Sequence, residues 1–307
     1  MGAVYDLCIV GGGPGGAAAA VYAARKQLKT IFITEAFGGQ STESAEIQNW
    51  IGTEKISGAE LAKALENHVR TYASSFVDIK KGSRATNVQK QGGAFLIHTG
   101  KDLYEARAIL ITTGGTRKKL EVPGAAEFEN KGVVYCASCD GPLFEGQDVV
   151  VVGGGNAGFE TAAQLLAYTK SVTLLNRGNE FRADPVTVEK VLADPKMKAL
   201  RNATPLEIRG EKFVKSVITK NETGQIEVPA TGVFVEIGML PNTELVANAV
   251  ELDEYKRIII DAKNQRTSCL GIWAAGDCTS SLYHQNNIAA GDAVKALEDI
   301  YLYLRAQ

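Results

Sequence analysis

Residues 4–24 decide the fold. They are Val4-Tyr5-Asp6-Leu7-Cys8-Ile9-Val10, then Gly11-Gly12-Gly13-Pro14-Gly15-Gly16, then Ala17-Ala18-Ala19-Ala20-Val21-Tyr22-Ala23-Ala24. The first segment is a short apolar run without helical periodicity, which predicts a buried strand, and the glycine run predicts a loop. The third segment is rich in alanine, the strongest helix former. A β-branched run, Lys29–Thr34, follows and ends at Glu35. The order strand, glycine loop, helix, strand predicts a βαβ unit.

The same order recurs in the middle of the chain. Asp148–Val152 predicts a strand, Gly153-Gly154-Gly155-Asn156-Ala157-Gly158 a loop, Phe159–Tyr168 a helix and Ser171–Leu175 a second strand, which ends at Asn176. One G-x-G-x-x-G motif is weak evidence, but two copies that each follow a strand and open a helix are not explained by glycine-rich turns alone. The repeat therefore predicts an α/β protein with two Rossmann-like dinucleotide-binding domains.

The glycine spacing indicates what these loops bind. In each motif the first glycine makes a tight turn, the second lets the backbone approach a pyrophosphate, and the third lets helix and strand pack closely. These roles predict Gly11, Gly13 and Gly16 at one pyrophosphate. Two nucleotide sites in one chain are typical of hydride transfer between a nicotinamide and a flavin.

Six further segments have a predicted secondary structure. They are the helices Ala59–Tyr72 and Asp292–Leu304, the strands Ala108–Thr112, Arg257–Asp261 and Gly271–Ala275, and a strand within Glu227–Ile237.

Composition excludes several other classes of protein. The 307 residues include 33 Lys and Arg against 35 Asp and Glu, so no basic footprint for nucleic acid or a membrane surface is expected. The uncharged run Leu7–Ala24 is interrupted by its glycines, and no positive charge precedes it, so neither a membrane span nor a signal peptide is predicted. We expect a cytoplasmic protein of about two domains.

The segment Cys136-Ala137-Ser138-Cys139-Asp140 contains a C-x-x-C motif, which is the third informative motif after the two glycine loops. A zinc site needs a second ligand pair at matching spacing, which the remaining Cys and His residues do not supply, so no metal is predicted. A structural disulfide over so short a loop would stabilise little. A redox-active dithiol is the favoured interpretation. Asp140 is either an acid that handles the proton of disulfide reduction or a turn residue, and both interpretations stay open.

The chain resembles the low-molecular-weight thioredoxin reductases from end to end. It is also similar to the reductase portion of the alkyl hydroperoxide reductase flavoprotein. The shared motifs are Gly11-Gly12-Gly13-Pro14-Gly15-Gly16, Gly38-Gly39-Gln40, Asn49-Trp50, Thr113-Gly114, Cys136-Ala137-Ser138-Cys139-Asp140-Gly141, Gly153-Gly154-Gly155-Asn156, and Gly276-Asp277 with Gln285.

The resemblance implies a discontinuous FAD domain, residues 1–116 and 244–307, with an NAD(P)H domain, residues 117–243, that carries the dithiol. It implies that Cys136 attacks the disulfide of a thioredoxin-like partner, that Cys139 is the sulfur nearer the flavin, and that Asp140 is the acid/base. A homodimer is expected. The implied FAD residues are Gly11, Gly13, Pro14, Gly16, Glu35, Gly39, Gln40, Asn49, Thr113, Gly114, Gly276, Asp277 and Gln285.

The nicotinamide site departs from the family pattern. Its implied residues are Gly153, Gly155, Asn156, Gly158, Arg177 and Arg182. NAD sites place an acid about 20 residues after the first glycine and NADP sites an arginine. Asn176 stands there and is not acidic, and two of the three arginines of the family's NADPH pattern are present. We therefore predict NADPH in preference to NADH, although Gly158 favours NADH.

Alternative functions stay open at this point. The donor could be ferredoxin, and the partner could be a glutaredoxin-like protein or a peroxiredoxin system. The chain could also be a redox-sensing flavoprotein with little turnover. His284 stands where many family members have arginine. It could tune the flavin or titrate near neutral pH, but a satisfied histidine at the surface or in a pocket is the favoured interpretation.

Overall fold

The computed structural model describes residues 4–44, 46–221 and 224–306. The strands, in chain order, are β1 Tyr5–Val10, β2 Thr30–Thr34, β3 Val77–Lys81, β4 Ala85–Gln91, β5 Ala94–Thr99, β6 Leu103–Ile111, β7 Gly115–Arg117, β8 Val133–Val134, β9 Asp148–Val152, β10 Ser171–Leu175, β11 Met197–Leu200, β12 Thr204–Gly210, β13 Val214–Asn221, β14 Gly224–Pro229, β15 Gly232–Val235, β16 Met239–Pro241 and β17 Ile272–Ala274. The α-helices are α1 Pro14–Arg25, α2 Gly58–Ala73, α3 Ala137–Asp140, α4 Asn156–Leu166, α5 Pro185–Leu192 and α6 Asn286–Arg305. Short 3₁₀ helices lie at Gly39–Glu43, Gly141–Phe144 and Glu244–Val246.

The chain divides into two compact units. The first contains residues 1–116 and 240–307, and the second contains residues 117–239. The first unit resumes four residues before the predicted position 244. The division into an FAD domain and an NAD(P)H domain remains a prediction, because the units alone do not show which nucleotide each binds.

The first unit is built on a mixed sheet. Its strand order is β3-β2-β1-β6-β5-β4, and β17 also pairs with β6. β1, β2, β3, β6 and β17 are parallel, whereas β4 and β5 form an antiparallel extension. Both faces of β1 are buried, because Leu7 and Ile9 pack with α1 and α6 while Cys8 and Val10 pack in the core on the opposite face. Burial on both faces explains why β1 is a continuous apolar run.

The second unit repeats this construction in smaller form. Its sheet has the order β11-β10-β9-β15-β8 and is parallel throughout. In β9, Val149 and Val151 belong to one core cluster, and Val150 and Val152 belong to the other. An antiparallel meander, β12-β13-β14, accompanies the parallel sheet. The α/β class with two Rossmann-like units is confirmed.

Two predicted strand segments differ from the structure. The stretch Glu227–Ile237 does hold a strand, β15, which begins at Gly232 and joins the parallel sheet. Its first residues belong to β14, which ends at Pro229 and pairs with β13. The predicted strand Arg257–Asp261 is wrong. The stretch Arg257–Asp261 forms only isolated bridges through Ile258. In both places β-branched residues suggested a regular strand, but the pairing partners available in the fold determine the actual pairing.

Candidate functional site

The first glycine loop is shaped by close backbone approaches. Gly11 has a φ of +112°, and a Cβ there would collide with the carbonyl of Thr112. A Cβ at Gly16 would collide with the carbonyl of Gly11. At Gly13, in contrast, a Cβ would have no neighbour within 4 Å. Two glycines therefore serve packing, while Gly13 opens onto the space in front of α1.

The second glycine loop has the same construction. Gly153 has a φ of +132°, and a Cβ there would collide with the carbonyl of Glu236. A Cβ at Gly158 would collide with the carbonyl of Gly153, whereas one at Gly155 would meet only the carbonyl of Arg182, at 4.0 Å. The open glycine again directly precedes a helix.

The helices that follow the glycine loops have N-termini without side-chain caps. α1 begins after Gly13 and α4 after Gly155, and neither start has a side-chain cap or an acidic residue in its first turn. α2 is closed by a capping box of Ser57 and Glu60, and α5 is capped by Asp184. Free amides and the positive end of a helix dipole suit an anion. The open glycine and the uncapped helix N-terminus of each loop therefore fit the pyrophosphate of a dinucleotide.

Glu35, one of the residues predicted for FAD, lies at the surface. Glu35 directly follows β2 and is ion-paired with Arg84 at 3.6 Å. Behind the loop, the N–H of Gly38 donates to the carbonyl of Gly12 at 2.9 Å. A Cβ at Gly39 would lie 3.3 Å from the Cα of Gly13. Pro14 occupies the first turn of α1, where its missing N–H costs nothing.

Amide side chains join two distant segments in the first unit. Asn49 donates to the side-chain oxygen of Gln285 at 3.2 Å, and its carbonyl accepts from Asn287 at 2.7 Å. Ser41 donates to the side chain of Asn286 at 2.9 Å. The start of α6 is thereby bonded to two segments more than 200 residues earlier in the chain.

The segment after β6 is bonded to Asn242. Thr113 donates through its hydroxyl to the backbone carbonyl of Asn242 at 2.6 Å, and the Asn242 side chain donates back to the carbonyl of Thr113 at 3.0 Å. The N–H of Asn242 donates to Gly114 at 2.9 Å. The side-chain amide of Gln40 bonds the carbonyl of Gly115. Three predicted FAD residues thus meet at the end of one strand.

The turn after β17 contains two other predicted FAD residues. Gly276 has a φ of +77°, and a Cβ there would lie 3.1 Å from the Cβ of Ala289 on α6. Asp277 is partly buried, and Cys278 is fully buried, with its Sγ 3.4 Å from the carbonyl of Ala275. Burial raises the pKa of the Cys278 thiol to about 11. Cys278 therefore packs in the core of the first unit.

His284 lies just before the start of α6. Its Nε2 is one of the few buried side-chain polar atoms, among the described residues, that have no hydrogen-bond partner. Buried polar atoms usually have a hydrogen-bond partner. The unpartnered Nε2, next to residues predicted for FAD, is therefore consistent with a hydrogen bond to a bound ligand.

The loop that follows β10 is attached to the second glycine loop. The N–H of Arg182 donates to the carbonyl of Gly154 at 2.8 Å. The side chain of Asn156 accepts from the N–H of Asp184 at 2.8 Å. Arg177 and Arg182 are exposed, and no ion pair binds either of them within the described parts of the chain.

Asn176 is directed into its own loop. Its amide donates to the carbonyls of Gly178 and Glu180 at 2.7 and 2.9 Å, and its oxygen lies so close to Gly154 that a Cβ there would collide with it. The side chain is 7% exposed. NAD sites place an acid at this position. In this chain the position holds an amide that stabilises the loop containing Arg177 and Arg182.

The cysteine pair forms a disulfide in the second unit. Cys136 and Cys139 are linked, with their Cα atoms 5.3 Å apart, at the start of α3. Asp140 directly follows and is partly buried. Burial raises its pKa to about 6 against the opposing effect of the Arg117 guanidinium. A carboxyl with this pKa can donate a proton near neutral pH, which favours the acid/base interpretation over a plain turn residue.

Sequence reasoning missed several residues of these sites. The amide network requires Asn286 and Asn287, and Asn242 anchors the end of β6. Three consecutive amide residues at the start of a helix, Gln285-Asn286-Asn287, were the available signal, because such side chains satisfy exposed backbone groups. Glu236, whose carbonyl lies against Gly153, had no signal in the sequence, because its position depends on the pairing of β15 with β9.

Metal-binding clusters and membrane-spanning helices are both missing from the described residues. No group of three or more His, Cys, Asp or Glu side chains there could hold a metal ion. No helix among them is long and apolar enough to cross a membrane.

This chain belongs to the pyridine nucleotide-disulphide oxidoreductase family, whose model matches residues 5–293. That family implies FAD and a nicotinamide nucleotide. The chain is also similar over its whole length to solved thioredoxin reductases. The enzyme from Streptococcus pyogenes is 34% identical with a TM-score of 0.91, each chain being covered completely. The enzyme from Giardia duodenalis is 31% identical with a TM-score of 0.93, over 99% of this chain and 100% of that one. The fold is thus that of a thioredoxin reductase-like flavin disulfide oxidoreductase.

Longer proteins are also similar. A component of the alkyl hydroperoxide reductase of Escherichia coli is 40% identical over 98% of this chain, and a protein of Bacillus subtilis named NADH dehydrogenase is 39% identical over the same share. This chain spans 58% of the length of each.

Proposed function

We propose that this protein is a disulfide reductase that uses NADPH and FAD to reduce thioredoxin or a thioredoxin-like protein. The observation that carries the proposal is the Cys136–Cys139 disulfide beside the partly buried acid Asp140, in the unit that also holds the second glycine loop. A short-range disulfide next to a proton donor is suited to exchange with another disulfide.

The dithiol chemistry follows from these three residues. In the reduced enzyme the thiolate of Cys136 attacks one sulfur of the partner's disulfide and forms a mixed disulfide. The thiolate of Cys139 then attacks Cys136, restores the Cys136–Cys139 disulfide and releases the second partner sulfur. Asp140 donates a proton to a departing partner thiolate, and the other proton comes from solvent. The partner gains two electrons and two protons, and the dithiol loses two electrons.

The two glycine loops hold the nucleotides in this proposal. Gly13 and the start of α1 bind the pyrophosphate of FAD, while Gly11 makes the tight turn before them, and the amide network of Asn49 and Gln285 orders the flavin side of FAD. Gly155 and the start of α4 bind the second nucleotide. When bound, FAD supplies the two-electron relay between the nicotinamide and the Cys136–Cys139 disulfide.

NADPH is the preferred donor in this proposal. Arg177 and Arg182 are exposed next to the second loop, and charge-assisted bonds to a 2′-phosphate are worth about 1.5–3 kcal/mol each. Asn176 offers no carboxylate to the ribose of NADH. NADH is the second candidate, favoured by the name of the B. subtilis relative.

The similarity to solved thioredoxin reductases supports a thioredoxin-like partner. The homodimer stays an expectation from the family resemblance. A peroxide-reducing system is the second candidate for the partner. The 40% identity to the alkyl hydroperoxide reductase component of E. coli favours it.

An anaerobic titration tests the donor. Purified protein in its yellow flavin form would be mixed in separate cuvettes with NADPH, NADH and reduced ferredoxin, and bleaching of the flavin band followed. We expect rapid bleaching by NADPH and slower bleaching by NADH. Equal kcat/KM values for NADPH and NADH would contradict the preference, and bleaching by ferredoxin alone would contradict a nicotinamide donor.

Cysteine variants test the dithiol. Cys136→Ser and Cys139→Ser should abolish thioredoxin reduction and leave flavin bleaching by NADPH intact, whereas Cys269→Ser, a free cysteine in the other unit, should change neither. Continued thioredoxin turnover by either dithiol variant would refute the proposal. Flavin bleaching without turnover of any disulfide partner in the wild-type protein would favour a redox sensor.

A further inference from the structure

Glu236 lies at the switch point of the second sheet. It directly follows β15, and its N–H donates to the carbonyl of Val152 at the end of β9 at 2.8 Å. β10 and β15 flank β9 on opposite sides, and the chain order changes direction there. Doubly wound sheets bind ligands in the crevice at the carboxyl ends of the strands at this point.

The carboxyl of Glu236 is held beside the second glycine loop. Its Oε1 accepts from the hydroxyl of Thr161 on α4 at 2.8 Å. A Cβ at Gly153 would lie 3.5 Å from the Cβ of Glu236. Asn176, which follows β10, lies against the same loop at Gly154. The loop therefore lies between Asn176 on the β10 side and Glu236 on the β15 side.

The groups that act on the charge of Glu236 come from two elements, Arg117 on β7 and Glu160 and Thr161 on α4. Burial raises its pKa to about 7, although the Arg117 guanidinium and the hydrogen bond from Thr161 act in the opposite direction. Glu160 on α4 raises the pKa further. Since one hydrogen bond from Thr161 leaves most of the acceptor capacity of a carboxylate unused, the group can accept from a ligand.

The direction of the bound nucleotide follows from this arrangement and rests on the proposed function. If Arg177 and Arg182 bind the adenosine half on the β10 side and Gly155 faces the pyrophosphate, the other half of the dinucleotide extends toward β15. That half carries ribose hydroxyls and a carboxamide N–H₂, all of which are hydrogen-bond donors. A carboxylate accepts hydrogen bonds only.

We propose that Glu236 binds the ribosyl-nicotinamide half of the nucleotide by accepting a hydrogen bond from a ribose hydroxyl or from the carboxamide. The accepting form is the ionised one. The affinity for the whole nucleotide, relative to a fragment that lacks this half, therefore rises as the pH increases through about 7.

Calorimetric titration of the flavin-loaded protein tests this role without measuring turnover. The probes are NADP⁺, which contains both halves, and adenosine 2′,5′-bisphosphate, which lacks the ribosyl-nicotinamide. Glu236→Gln keeps an oxygen for Thr161 but cannot accept as a carboxylate. It should weaken NADP⁺ binding by about tenfold to a hundredfold, the range for a hydrogen bond to a charged group, and leave the fragment unchanged. Arg177→Ala is the matched control and should weaken both probes.

The outcomes separate this inference from the proposed function. Equal weakening of both probes by Glu236→Gln, or of neither, overturns the role of Glu236 while the nicotinamide site stands. A wild-type protein that binds neither NADP⁺ nor NAD⁺ overturns both. If Glu236→Gln does not fold, the wild-type protein still decides the question, because a ratio of the two affinities that stays constant from pH 6 to pH 8 contradicts the proposal.

Discussion

The side chain of Asn49 donates to the side chain of Gln285 at 3.2 Å and thereby joins residues that lie 236 positions apart in the sequence. Asn287, in the first turn of α6, strengthens the link. It donates to the carbonyl of Asn49 at 2.7 Å and accepts from the N–H of Ile51 at 3.4 Å. The start of α6 therefore holds the segment around Asn49 in place.

Asn287→Ala removes both of its bonds to this segment. We expect a loss of about 1–3 kcal/mol in the free energy of unfolding, because backbone groups of Asn49 and Ile51 lose their partners. FAD should also be released faster, which recovery of flavin fluorescence on dilution would measure. Asn67→Ala, on the exposed face of α2, is the control and should change neither quantity. If Asn287→Ala released FAD at the wild-type rate, the hydrogen bonds of Asn287 would have no role in holding FAD.

Two glycines of the first loop should respond oppositely to alanine. At Gly16 the added Cβ meets the carbonyl of Gly11, so Gly16→Ala should lower stability by about 1–3 kcal/mol. At Gly13 the Cβ enters open space, so Gly13→Ala should change stability by less than about 1 kcal/mol and weaken FAD binding. Chemical denaturation of the apoprotein and FAD titration measure the two effects. Tight FAD binding by Gly13→Ala would show that the pyrophosphate does not approach this position.

The glycine loops and the strands before them could be predicted because their constraints are local. Asp148–Val152 is a strand over the predicted residues, and the open glycines Gly13 and Gly155 directly precede their helices. A loop that turns tightly and opens a helix needs particular residues within six positions, so its pattern is visible in the sequence.

The rest depends on contacts between distant segments. Glu236 acquires its surroundings only because β15 pairs with β9, and Asn176 is directed inward because Gly178 and Glu180 present carbonyls to it. Arg257–Asp261 has the composition of a strand, but only Ile258 finds bridge partners. Pairing over long sequence separation is not encoded in local propensity, which explains these misses.

Asp140 should produce a step in the pH dependence of partner reduction. Because burial raises its pKa to about 6, the protonated form that donates to a partner thiolate declines as the pH increases through about 6. Single-turnover reduction of thioredoxin by the prereduced enzyme should slow over this range, and Asp140→Asn should be slower and lack the step. Glu145→Gln, an exposed acid nearby, should keep the wild-type profile. If the pH profile of thioredoxin reduction were unchanged in Asp140→Asn, the step near pH 6 would belong to another group.

The same shift has a consequence for stability. Folding favours the protonated form of Asp140, so its contribution to the free energy of unfolding decreases as the pH rises from about 4 to about 6 and stays low above that. Asp140→Asn should therefore be more stable than the wild-type disulfide form at pH 7, by about 1–3 kcal/mol. At pH 3 the difference should vanish. Equal stability at both pH values, measured by urea unfolding, would contradict the raised pKa.

Arg117 acts on two carboxyls that are 96 residues apart in sequence. Its guanidinium lowers the pKa of Asp140 and also that of Glu236, in each case against the effect of burial. Arg117→Gln removes this positive charge, so both pKa values should rise, by roughly half a unit to one unit at the effective dielectric of a partly exposed site. The step in thioredoxin reduction should then lie above pH 6, and the pH-dependent rise in NADP⁺ affinity above pH 7. Lys118→Gln makes the same change of charge at the next residue, which is exposed, and should leave both profiles in place. If Arg117→Gln shifts only one of the two pH profiles, the guanidinium influences only one of the two carboxyls. Asp140 and Glu236 then titrate independently.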